Sequence, residues 1–498
     1  MDPKPNAASP DAGPQVYRRR TPEHTALFAC VNKHFATFEE RLSLAGKTLP
    51  EFIAKEFSGF LECGILTYGF ARVRCADCGF DRLVAFSCKA RGICPSCVGR
   101  RMNDTAAYLA DEVFPDVPVR QWVLSMPKAL RPLVAYDTKL LRQVLQIFTT
   151  ALRRHLTRTA KRELGLTSVK NVQTGALTVV QRFGSAAELN VHFHTLACDG
   201  VFVHENGVVK FHALPKPADK EITAVAERVC RRVIRLLEKV GKWRPDADSS
   251  GDDTTADDAD VLTQIGAASV SGTLIFKNGE RPMRLIGAAA RQTQNELRGY
   301  AFDLDASITL HANDKAGRER LCRYVLRPAL ANDRLKERGD GRFDLKLKRA
   351  WSDGTTHLVF DGPELIARLV ALVPPPRVHQ IRYHGVFAPN AKWRSLVVRG
   401  RQREENSTVK NSDALVDESS CDKPHKRKRY DWAKLLARVF KVDVLACPRC
   451  NSRMQRIAFI TTHEAIRGIL NSMGLATAPP PPSRALDDAS EQREFGWT

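Results

Sequence analysis

Apolar and polar residues alternate through the segment "ELNVHFHTLACDGVFV", residues 188–203, and this alternation predicts a buried β-strand. His192 and His194 flank Phe193 in the segment. Because successive side chains of a strand point to opposite faces, the two imidazoles share one face and Phe193 lies on the other. The segment 176–183 is also strand-like, and we expect the two strands to be antiparallel neighbours. The pattern therefore predicts a sheet with two histidines side by side on one face.

Helix-like spacing of apolar residues covers residues 24–62. It returns in residues 138–165, a long basic stretch without proline, which predicts a single long helix. The segment "VRQWVLSMP" between them is typical of a strand followed by a turn. The chain therefore alternates between helical and strand-like segments.

Two Cys-x2-Cys pairs, Cys75 with Cys78 and Cys94 with Cys97, are separated by fifteen residues. This spacing is typical of a four-cysteine zinc ribbon, in which two turns together offer four thiolates to one ion. A closed four-thiolate site leaves no position for water, so we expect its Zn²⁺ to be structural. The sequence predicts one zinc site made of these four cysteines.

Other cysteines near these pairs stay unassigned. Cys63 and Cys88 lie close enough to replace a ligand of the ribbon. "CPRC", with Cys447 and Cys450, is half of another such site, and Cys421 and His463 are possible additional ligands; two reduced cysteines in a turn explain it nearly as well. The basic residues that flank the ribbon either contact DNA or form a solvated rim: Lys89, Arg91, Arg100 and Arg101.

Shifts in composition divide the chain into six segments. We predict an α+β fold in which an N-terminal helical and zinc-ribbon domain precedes an α/β domain, whose central antiparallel sheet carries the histidine pair. The segments are a flexible N-terminus (1–23), the N-terminal helical and zinc-binding domain (24–115), the α/β domain (116–399) with an acidic insertion (245–260), a polar linker (400–429), a small C-terminal CxxC segment (430–475) and a Pro-rich tail (476–498).

The charge balance points to a polyanionic partner. The chain has 77 Lys and Arg against 56 Asp and Glu, a net charge of +21, and nucleic acid is the commonest partner of such a protein. An arginine-rich lineage is the alternative explanation. The N-terminus has no apolar stretch typical of a signal peptide, and no run of 18 apolar residues occurs. We expect a cytoplasmic, nucleoid-associated bacterial protein with reduced thiols and no membrane partner; the pattern sets no oligomeric state.

A single histidine in a strand is usually a core residue with a satisfied hydrogen bond. Two on one face are harder to bury without partners, and two neutral imidazoles directed at one point suit a divalent metal. From residue types alone, core histidines and a metal site remain equally good explanations. The HExxH pattern of zinc hydrolases is absent.

Several longer motifs extend this observation. A His-hydrophobe-His strand is typical of single-strand nicking enzymes that use a tyrosine nucleophile. From residue 24 to about 475 the chain also resembles the rolling-circle transposases of the insertion-sequence-91 family. The resemblance rests on "SCKARGICPSC", "WVLSMPKALR", "HFHTLACDGVF", "RLCRYVLRPALANDRL", "DLKLKRAWSDGTTHLVFDGPELIARLVALVPPPR", "RYHGVFAPNAKWRS" and "DWAKLLARVFKVDVLACPRC".

The resemblance implies a catalytic domain in 116–399 with Tyr324 as nucleophile, in the helix that begins near "DKAGRERLCRYVL". His192 and His194 would bind the catalytic ion, Gln181 is the candidate third ligand, and Glu188 and Asn190 are alternatives. Oxygen ligands favour Mg²⁺ or Mn²⁺ at this second site. The implied activity nicks and rejoins single-stranded transposon ends through a 5′-phosphotyrosine.

One departure from the family pattern concerns a second tyrosine, which some members carry four residues after the first. Pro328 stands at that position, so the chain resembles the single-tyrosine branch. Tyr300 or Tyr383 could replace the second tyrosine in space, but nothing in the sequence indicates it. Without the resemblance, a tyrosine at the edge of the core would be the simpler interpretation of Tyr324.

Basic and aromatic residues mix in "RYHGVFAPNAKWR", a composition suited to single strands, because phosphates meet charge and bases stack on rings. The predicted DNA-binding residues are Arg323, Arg327, Arg382, Lys392, Trp393 and Arg394. His384 receives no role. Two alternatives to the transposase remain: a plasmid replication initiator or relaxase, and a non-catalytic zinc-dependent DNA-binding protein.

Overall fold

The structure is a computed structural model that describes residues 19–205, 207–242, 260–272, 302–398, 432–440 and 443–481. The predicted acidic insertion, except for its last residue, and the predicted polar linker lie outside the described residues. Tyr300 and Cys421 also lie outside them. Among the helices that are described, none has the length and apolar character that crossing a bilayer requires.

The α-helices of the described residues occur between residue 26 and residue 472. They are α1 (Ala26–Leu44), α2 (Glu51–Glu62), α3 (Pro95–Tyr108), α4 (Leu130–Tyr136), α5 (Thr138–Glu163), α6 (Asp219–Lys239), α7 (Val261–Ser271), α8 (Lys315–Leu326), α9 (Gly362–Leu372), α10 (Arg394–Val397), α11 (Trp432–Phe440) and α12 (His463–Ser472).

The strands of the described residues all pair in antiparallel fashion. They are β1 (Phe70–Cys75), β2 (Asp81–Ala85), β3 (Val119–Ser125), β4 (Val172–Gln173), β5 (Gly175–Phe183), β6 (Leu189–Cys198), β7 (Gly200–Glu205), β8 (Val208–Ala213), β9 (Asp303–Asp305), β10 (Thr309–Leu310), β11 (Leu335–Glu337), β12 (Phe343–Lys346), β13 (His357–Phe360), β14 (Ile381–Gly385) and β15 (Met454–Ile460).

The largest sheet of the described residues has six strands, in the order β10-β3-β6-β5-β14, with β9 also paired to β3. Three three-stranded sheets accompany it: β15-β1-β2, β11-β12-β13 and β4-β7-β8. The predicted mixture of helices and antiparallel sheets with a Cys-rich N-terminal region is confirmed.

Capping side chains and a proline set boundaries of two helices, α5 and α8. The Asp137 carboxylate accepts hydrogen bonds from the first turn of α5, and the Asp314 carboxylate accepts one from the Gly317 N–H at the start of α8, at 2.6 Å. Helix α8 ends at Leu326 because Pro328 holds the residue before it in an extended conformation. Pro328 therefore determines where α8 ends.

Helices cover both faces of the six-stranded sheet. On one face, Phe193 of β6 stacks on Phe148 of α5 with ring centroids 6.3 Å apart; each fully buried phenylalanine contributes about 1.5–3 kcal/mol. On the other face, Leu321 and Val325 of α8 pack against Leu196 of β6. Helix α8 therefore lies on the sheet face that carries His192 and His194, since these share their face with Leu196.

The N-terminal helices and the sheet region share one core. Phe35 of α1 stacks on Phe57 of α2 with centroids 4.2 Å apart, and α1 packs along α9. At the other end of the described chain, β15 pairs with β1, from Phe70 opposite Ile460 to Cys75 opposite Met454. The C-terminal segment thus completes the sheet of the Cys-rich region.

Candidate functional site

Strand β6 carries His192 and His194 between two neighbours in the sheet. His192 lies opposite Ser125 of β3 and opposite Gln181 of β5. The two imidazole rings are adjacent, with centroids 4.7 Å apart. Their shared face lies under α8, so the two imidazoles lie between a helix and a sheet.

The Nδ1 atom of His192 lies 2.8 Å from the Asn190 carbonyl oxygen. A carbonyl only accepts, so Nδ1 carries the proton and donates it. The lone pair is then on Nε2. Main-chain hydrogen bonds of this kind commonly orient the histidine ligands of metals.

Gln121 of β3 contacts the Nδ1 atom of His194 at 2.7 Å through its side-chain amide. Within the described chain, neither the Gln121 Oε1 atom nor the His194 Nε2 atom has a hydrogen-bond partner, although both are buried. Rotating the Gln121 amide by half a turn would let its Oε1 atom accept a hydrogen bond from a protonated Nδ1 of His194. The Nε2 atom of His194 would then carry a lone pair. That arrangement suits a metal ligand. The sequence patterns did not indicate Gln121, which is one of two buried polar residues of β3, with Arg120.

Burial lowers the pKa of His192 to about 4 and that of His194 to about 3. For His194, the neighbouring His192 and the Arg327 guanidinium lower the pKa further. Both imidazoles are therefore neutral at pH 7. Neutral imidazole is the form that binds divalent metals.

Three oxygen-bearing side chains were predicted as candidates for a third ligand. Gln181 donates from Nε2 to the Val325 carbonyl at 3.0 Å, while its Oε1 is buried without a partner in the described structure. The Oδ1 atom of Asn190, on the same face of β6, is also unpartnered there. Glu188 instead accepts a hydrogen bond from the Ala186 N–H in the turn between β5 and β6. The orphaned oxygens of Gln181 and Asn190 fit a hard cation; Glu188 is used elsewhere.

Tyr324 lies in the last turn of α8, and its ring meets the ring of His194 edge to face, with centroids 5.9 Å apart. The tyrosine is 48% exposed, so solvent or a ligand can reach it. The Arg327 guanidinium lies 4.3 Å from the centroid of the same ring. A phenol, two imidazoles and a cation therefore lie side by side, and the phenol is the exposed member of the group.

Ion pairs hold α8 in position. The Arg318 guanidinium, 1% exposed, bonds to the Asp116 carboxylate at 2.8 Å and to the Ala312 carbonyl at 2.7 Å. From the C-terminal segment, Arg438 of α11 bonds to Glu319 of α8 at 2.6 Å. Local sequence patterns do not predict this last contact, because 119 residues separate its partners.

The remaining predicted DNA-binding residues differ in their contacts. Arg323 pairs with Glu319 one turn earlier, and Arg382 donates to the His379 carbonyl at 3.2 Å. The Trp393 ring stacks on His204 at 5.7 Å. Arg394 donates to the Phe387 carbonyl, whereas Lys392 is exposed.

His384 lies on the opposite face of the sheet from the histidine pair. Its Nε2 atom is 3.0 Å from the Thr178 hydroxyl, which is 2.7 Å from the Thr195 hydroxyl on the Phe193 face of β6. It is therefore not a ligand of an ion held by His192 and His194. Tyr383 precedes it on β14, with the Arg394 guanidinium 5.8 Å from its ring centroid.

The four cysteines predicted to form one zinc site do not come together. The structure divides them between two clusters, each with ligand atoms within 4.8 Å of one another. The clusters are Cys63, Cys88, Cys94 and Cys97, and Cys75, Cys78, Cys447 and Cys450. His463 belongs to neither.

The physical reason for this correction is the β1–β2 hairpin. Cys75 and Cys78 lie at its turn, whereas Cys88 follows the far end of β2. Six residues of strand span roughly 20 Å, which exceeds the width of any metal site. The spacing of the cysteines gives only the number of residues between them. It does not show that β2 carries the chain away from the turn that holds Cys75 and Cys78.

In the first cluster, Cys63 and Cys97 have sulfurs 3.6 Å apart, and those of Cys88 and Cys97 are 3.5 Å apart. Four thiolates around zinc at about 2.3 Å place their sulfurs about 3.8 Å apart, whereas a disulfide requires about 2.05 Å. The thiols fit a zinc ion. Glu56 of α2 orients the loop before Cys94 by accepting from the Arg91 N–H at 2.8 Å.

Two of the flanking basic residues bond to the main chain. Arg101 donates to the Lys89 carbonyl at 2.9 Å, and Arg91 donates to the Val378 carbonyl. Both therefore brace the loop that carries the first cluster.

Two protein-family models match parts of the chain. Residues 30–126 match a model described as "Transposase zinc-binding domain" of the insertion-sequence-91 type, and residues 175–394 match one described as "Putative transposase". No curated protein and no solved structure matches the chain. The fold and the matches define a zinc-binding DNA transposase.

The two matched regions cover more than half of the 498 residues, and the chain belongs to the insertion-sequence-91 transposase family. The predicted family is thereby confirmed. DNA is the partner that a transposase implies, and the zinc-binding domain with its cysteine clusters indicates structural zinc.

Proposed function

We propose that this transposase nicks and rejoins single-stranded transposon ends, with Tyr324 as its single nucleophile. The observation that carries the proposal is the contact between the Tyr324 and His194 rings at 5.9 Å, beside buried ligand atoms that lack partners within the described residues. A structural tyrosine has no need of such neighbours. The exposed side of Tyr324 is the side from which DNA would approach.

The Tyr324 oxygen attacks the phosphorus, forming a tyrosine–phosphorus bond while the bond from phosphorus to the 3′ oxygen breaks. The phenol loses its proton to solvent, and the departing 3′ oxygen takes up a proton. The products are a 5′-phosphotyrosine and a 3′-OH. Because the phosphoester count is unchanged, the reverse reaction rejoins a strand without ATP.

Arg327 supports this reaction by its position. Its guanidinium lies against the ring of Tyr324 and within 5.6 Å of the Phe183 ring centroid. A cation there attracts the phosphate and stabilises the charge that develops on it. Arg327 is therefore the strongest of the proposed DNA-binding residues, while Arg323 is already paired within α8.

His192, His194 and Gln181 would hold a divalent cation, with Asn190 as the alternative third ligand. The mixed nitrogen and oxygen donor set suits Mg²⁺ or Mn²⁺. Such an ion would polarise the phosphate and favour deprotonation of a phenol whose ordinary pKa is about 10. Gln121 and the Asn190 carbonyl would fix the two imidazoles in the ligand tautomer.

A structural Zn²⁺ in the first cluster would hold the N-terminal region that helps to recognise DNA. Its proposed ligands are Cys63, Cys88, Cys94 and Cys97. Cys63 and Cys88 thus take the places in which the spacing predicted Cys75 and Cys78.

The proposal is tested by incubating the purified protein with labelled single-stranded DNA that contains the element's terminus, in Mg²⁺ or Mn²⁺. We expect an SDS-stable covalent adduct with the wild type and none with Tyr324→Phe or His192→Ala. Tyr383→Phe is the matched control and should form the adduct. An adduct that survives Tyr324→Phe would overturn the assignment of the nucleophile.

Two other outcomes lead to different conclusions. DNA binding without an adduct in any protein would favour a non-catalytic zinc-dependent DNA-binding protein. Loss of strand rejoining in Tyr383→Phe, with nicking retained, would show that a second tyrosine takes part.

A further inference from the structure

The two turns that meet in the second cluster, residues 75–80 and 447–452, fold alike. In each turn the N–H of the first cysteine donates to the carbonyl five residues later, at 2.9 Å. The N–H four residues later donates back to the carbonyl of the first cysteine, at 3.1 Å in one turn and 2.9 Å in the other. The two turns are therefore matching halves, although 375 residues separate Cys75 from Cys450.

The residue after each Cys-x2-Cys pair has a positive φ, +69° at Gly79 and +60° at Asn451. Glycine and asparagine are the residues that adopt this conformation most readily. The sequence at both turns therefore suits the backbone that brings two thiols of one turn together.

The four sulfurs of the cluster lie as the ligands of one ion do. Cys75 is 3.4 Å from Cys450, and Cys78 is 3.4 Å from Cys447. These separations are close to the sulfur–sulfur distance in a zinc site with four thiolates, about 3.8 Å. They are far longer than the S–S bond of a disulfide. Each pair joins one cysteine of the first turn to one of the second.

The surroundings also suit a site with net negative charge. The guanidinium of Arg449, within the second turn, lies 5.2 Å from the ring centroid of Phe80 in the first turn. Arg82 lies 5.9 Å from the same ring. Two cations beside the turns offset part of the charge of four thiolates around Zn²⁺.

The strands that carry the turns hold them at one end of the sheet. Strand β15 begins beside Cys75, since Met454 lies opposite it, and β1 and β15 stay paired to Phe70. Val73 and Met454 are buried beside Cys75 and Cys447. The apolar contacts and the sheet register thus position the cysteines of both turns.

We propose that Cys75, Cys78, Cys447 and Cys450 bind a second structural Zn²⁺, which joins the C-terminal segment to the N-terminal zinc-binding region. The matched family models end before Cys447. Four thiolates fill the coordination shell, so the ion has no role in cleavage. It cross-links two parts of the chain that are far apart in sequence and holds α11, which ends seven residues before Cys447, near α8.

The proposal is tested by measuring zinc per chain in the purified full-length protein by elemental mass spectrometry, without DNA. We expect two zinc ions in the wild type and one in the Cys447→Ser/Cys450→Ser variant. Cys421→Ser, the matched control in the C-terminal region, should retain two. One zinc in the wild type, or two in the double variant, would overturn the proposal, whatever the nicking experiment shows.

A measurement on the wild type avoids the risk that the double variant does not fold. Cysteine alkylation is followed by peptide mass spectrometry with and without a zinc chelator. Cys450 is exposed, so we expect its alkylation to be slow with zinc and at least tenfold faster after chelation, together with that of Cys78. Equal rates with and without the chelator would show that no metal protects these thiols.

Discussion

The ring of Tyr324 meets the ring of His194 edge to face, with centroids 5.9 Å apart and an interplanar angle of 83°. The contact joins the last turn of α8 to the middle of β6, two elements more than a hundred residues apart in the chain. It brings the exposed phenol beside an imidazole whose Nε2 atom has no partner among the described residues.

Tyr324→Phe should abolish the covalent adduct with little effect on stability. The substitution keeps the ring and its contacts with His194 and Arg327, and it removes only an exposed hydroxyl. The free energy of unfolding should change by less than about 0.5 kcal/mol, as measured by urea denaturation. A large loss of stability would mean that the hydroxyl has a structural role instead.

Gln121→Leu should weaken Mn²⁺ binding by roughly 10- to 100-fold, the usual effect of removing a group that orients a metal ligand. Without the amide, the Nδ1 atom of His194 loses its partner at 2.7 Å and the ring loses its preferred tautomer. Titration calorimetry measures the affinity. Gln173→Leu, in the separate sheet that contains β4, is the matched control and should bind Mn²⁺ normally; equal losses in both variants would contradict the role given to Gln121.

The third ligand can be identified by comparing Gln181→Ala with Asn190→Ala. The Gln181 oxygen is buried opposite His192 without a partner in the described chain, so Gln181→Ala should weaken Mn²⁺ binding more. Gln181→Glu should bind at least as tightly as the wild type, since a carboxylate is a better ligand for a hard cation. A larger loss of Mn²⁺ affinity in Asn190→Ala than in Gln181→Ala would identify Asn190 of β6 as the third ligand.

Sequence patterns predicted the parts of this site that depend on residues close together in the chain. Alternation placed His192 and His194 on one face and Phe193 on the other, because a strand has a period of two. Resemblance, and not pattern, selected Tyr324. Gln121 was missed because its role depends on which strand pairs beside β6, and short-range patterns carry no such information.

The cysteines show the same limit. The Cys-x2-Cys spacing correctly marked turns able to hold metal, because each turn is local. Pairing the turns was wrong, because Cys75 and Cys94 lie at opposite ends of the β1–β2 hairpin. The true partner of the first turn lies more than 350 residues away at Cys447.

Arg438→Ala should slow formation of the adduct severalfold and leave single-stranded DNA affinity nearly unchanged. Arg438 bonds to Glu319 of α8 and to Asp111, so its loss loosens the helix that carries Tyr324. We expect a stability loss of about 1–2 kcal/mol, since both pairs are only partly exposed. Single-turnover kinetics gives the rate. The surface residue Arg453, which pairs with Asp443 at 3.7 Å, provides the control Arg453→Ala, which should behave as the wild type.

Stability should fall as the pH drops from about 6.5 to 4, and His384 should account for part of that loss. Burial, and then the Arg382 guanidinium, lower the pKa of His384 to about 4, from 6.5 in the unfolded chain. Above pH 6.5 the imidazole is neutral in both states and contributes no pH dependence. Between these values the unfolded chain takes up a proton that the folded chain does not, so the free energy of unfolding decreases as the pH falls.

His384→Gln removes this titration and keeps a side chain able to bond with the Thr178 hydroxyl. Between pH 7 and pH 4, we expect the variant to lose roughly 2 kcal/mol less stability than the wild type, allowing for partial exposure of the ring. Urea denaturation at both pH values gives the difference. The other histidines titrate in both proteins, so their contributions cancel in the comparison. An identical loss in the two proteins would mean that the folded state already accommodates a charged His384 beside Thr178.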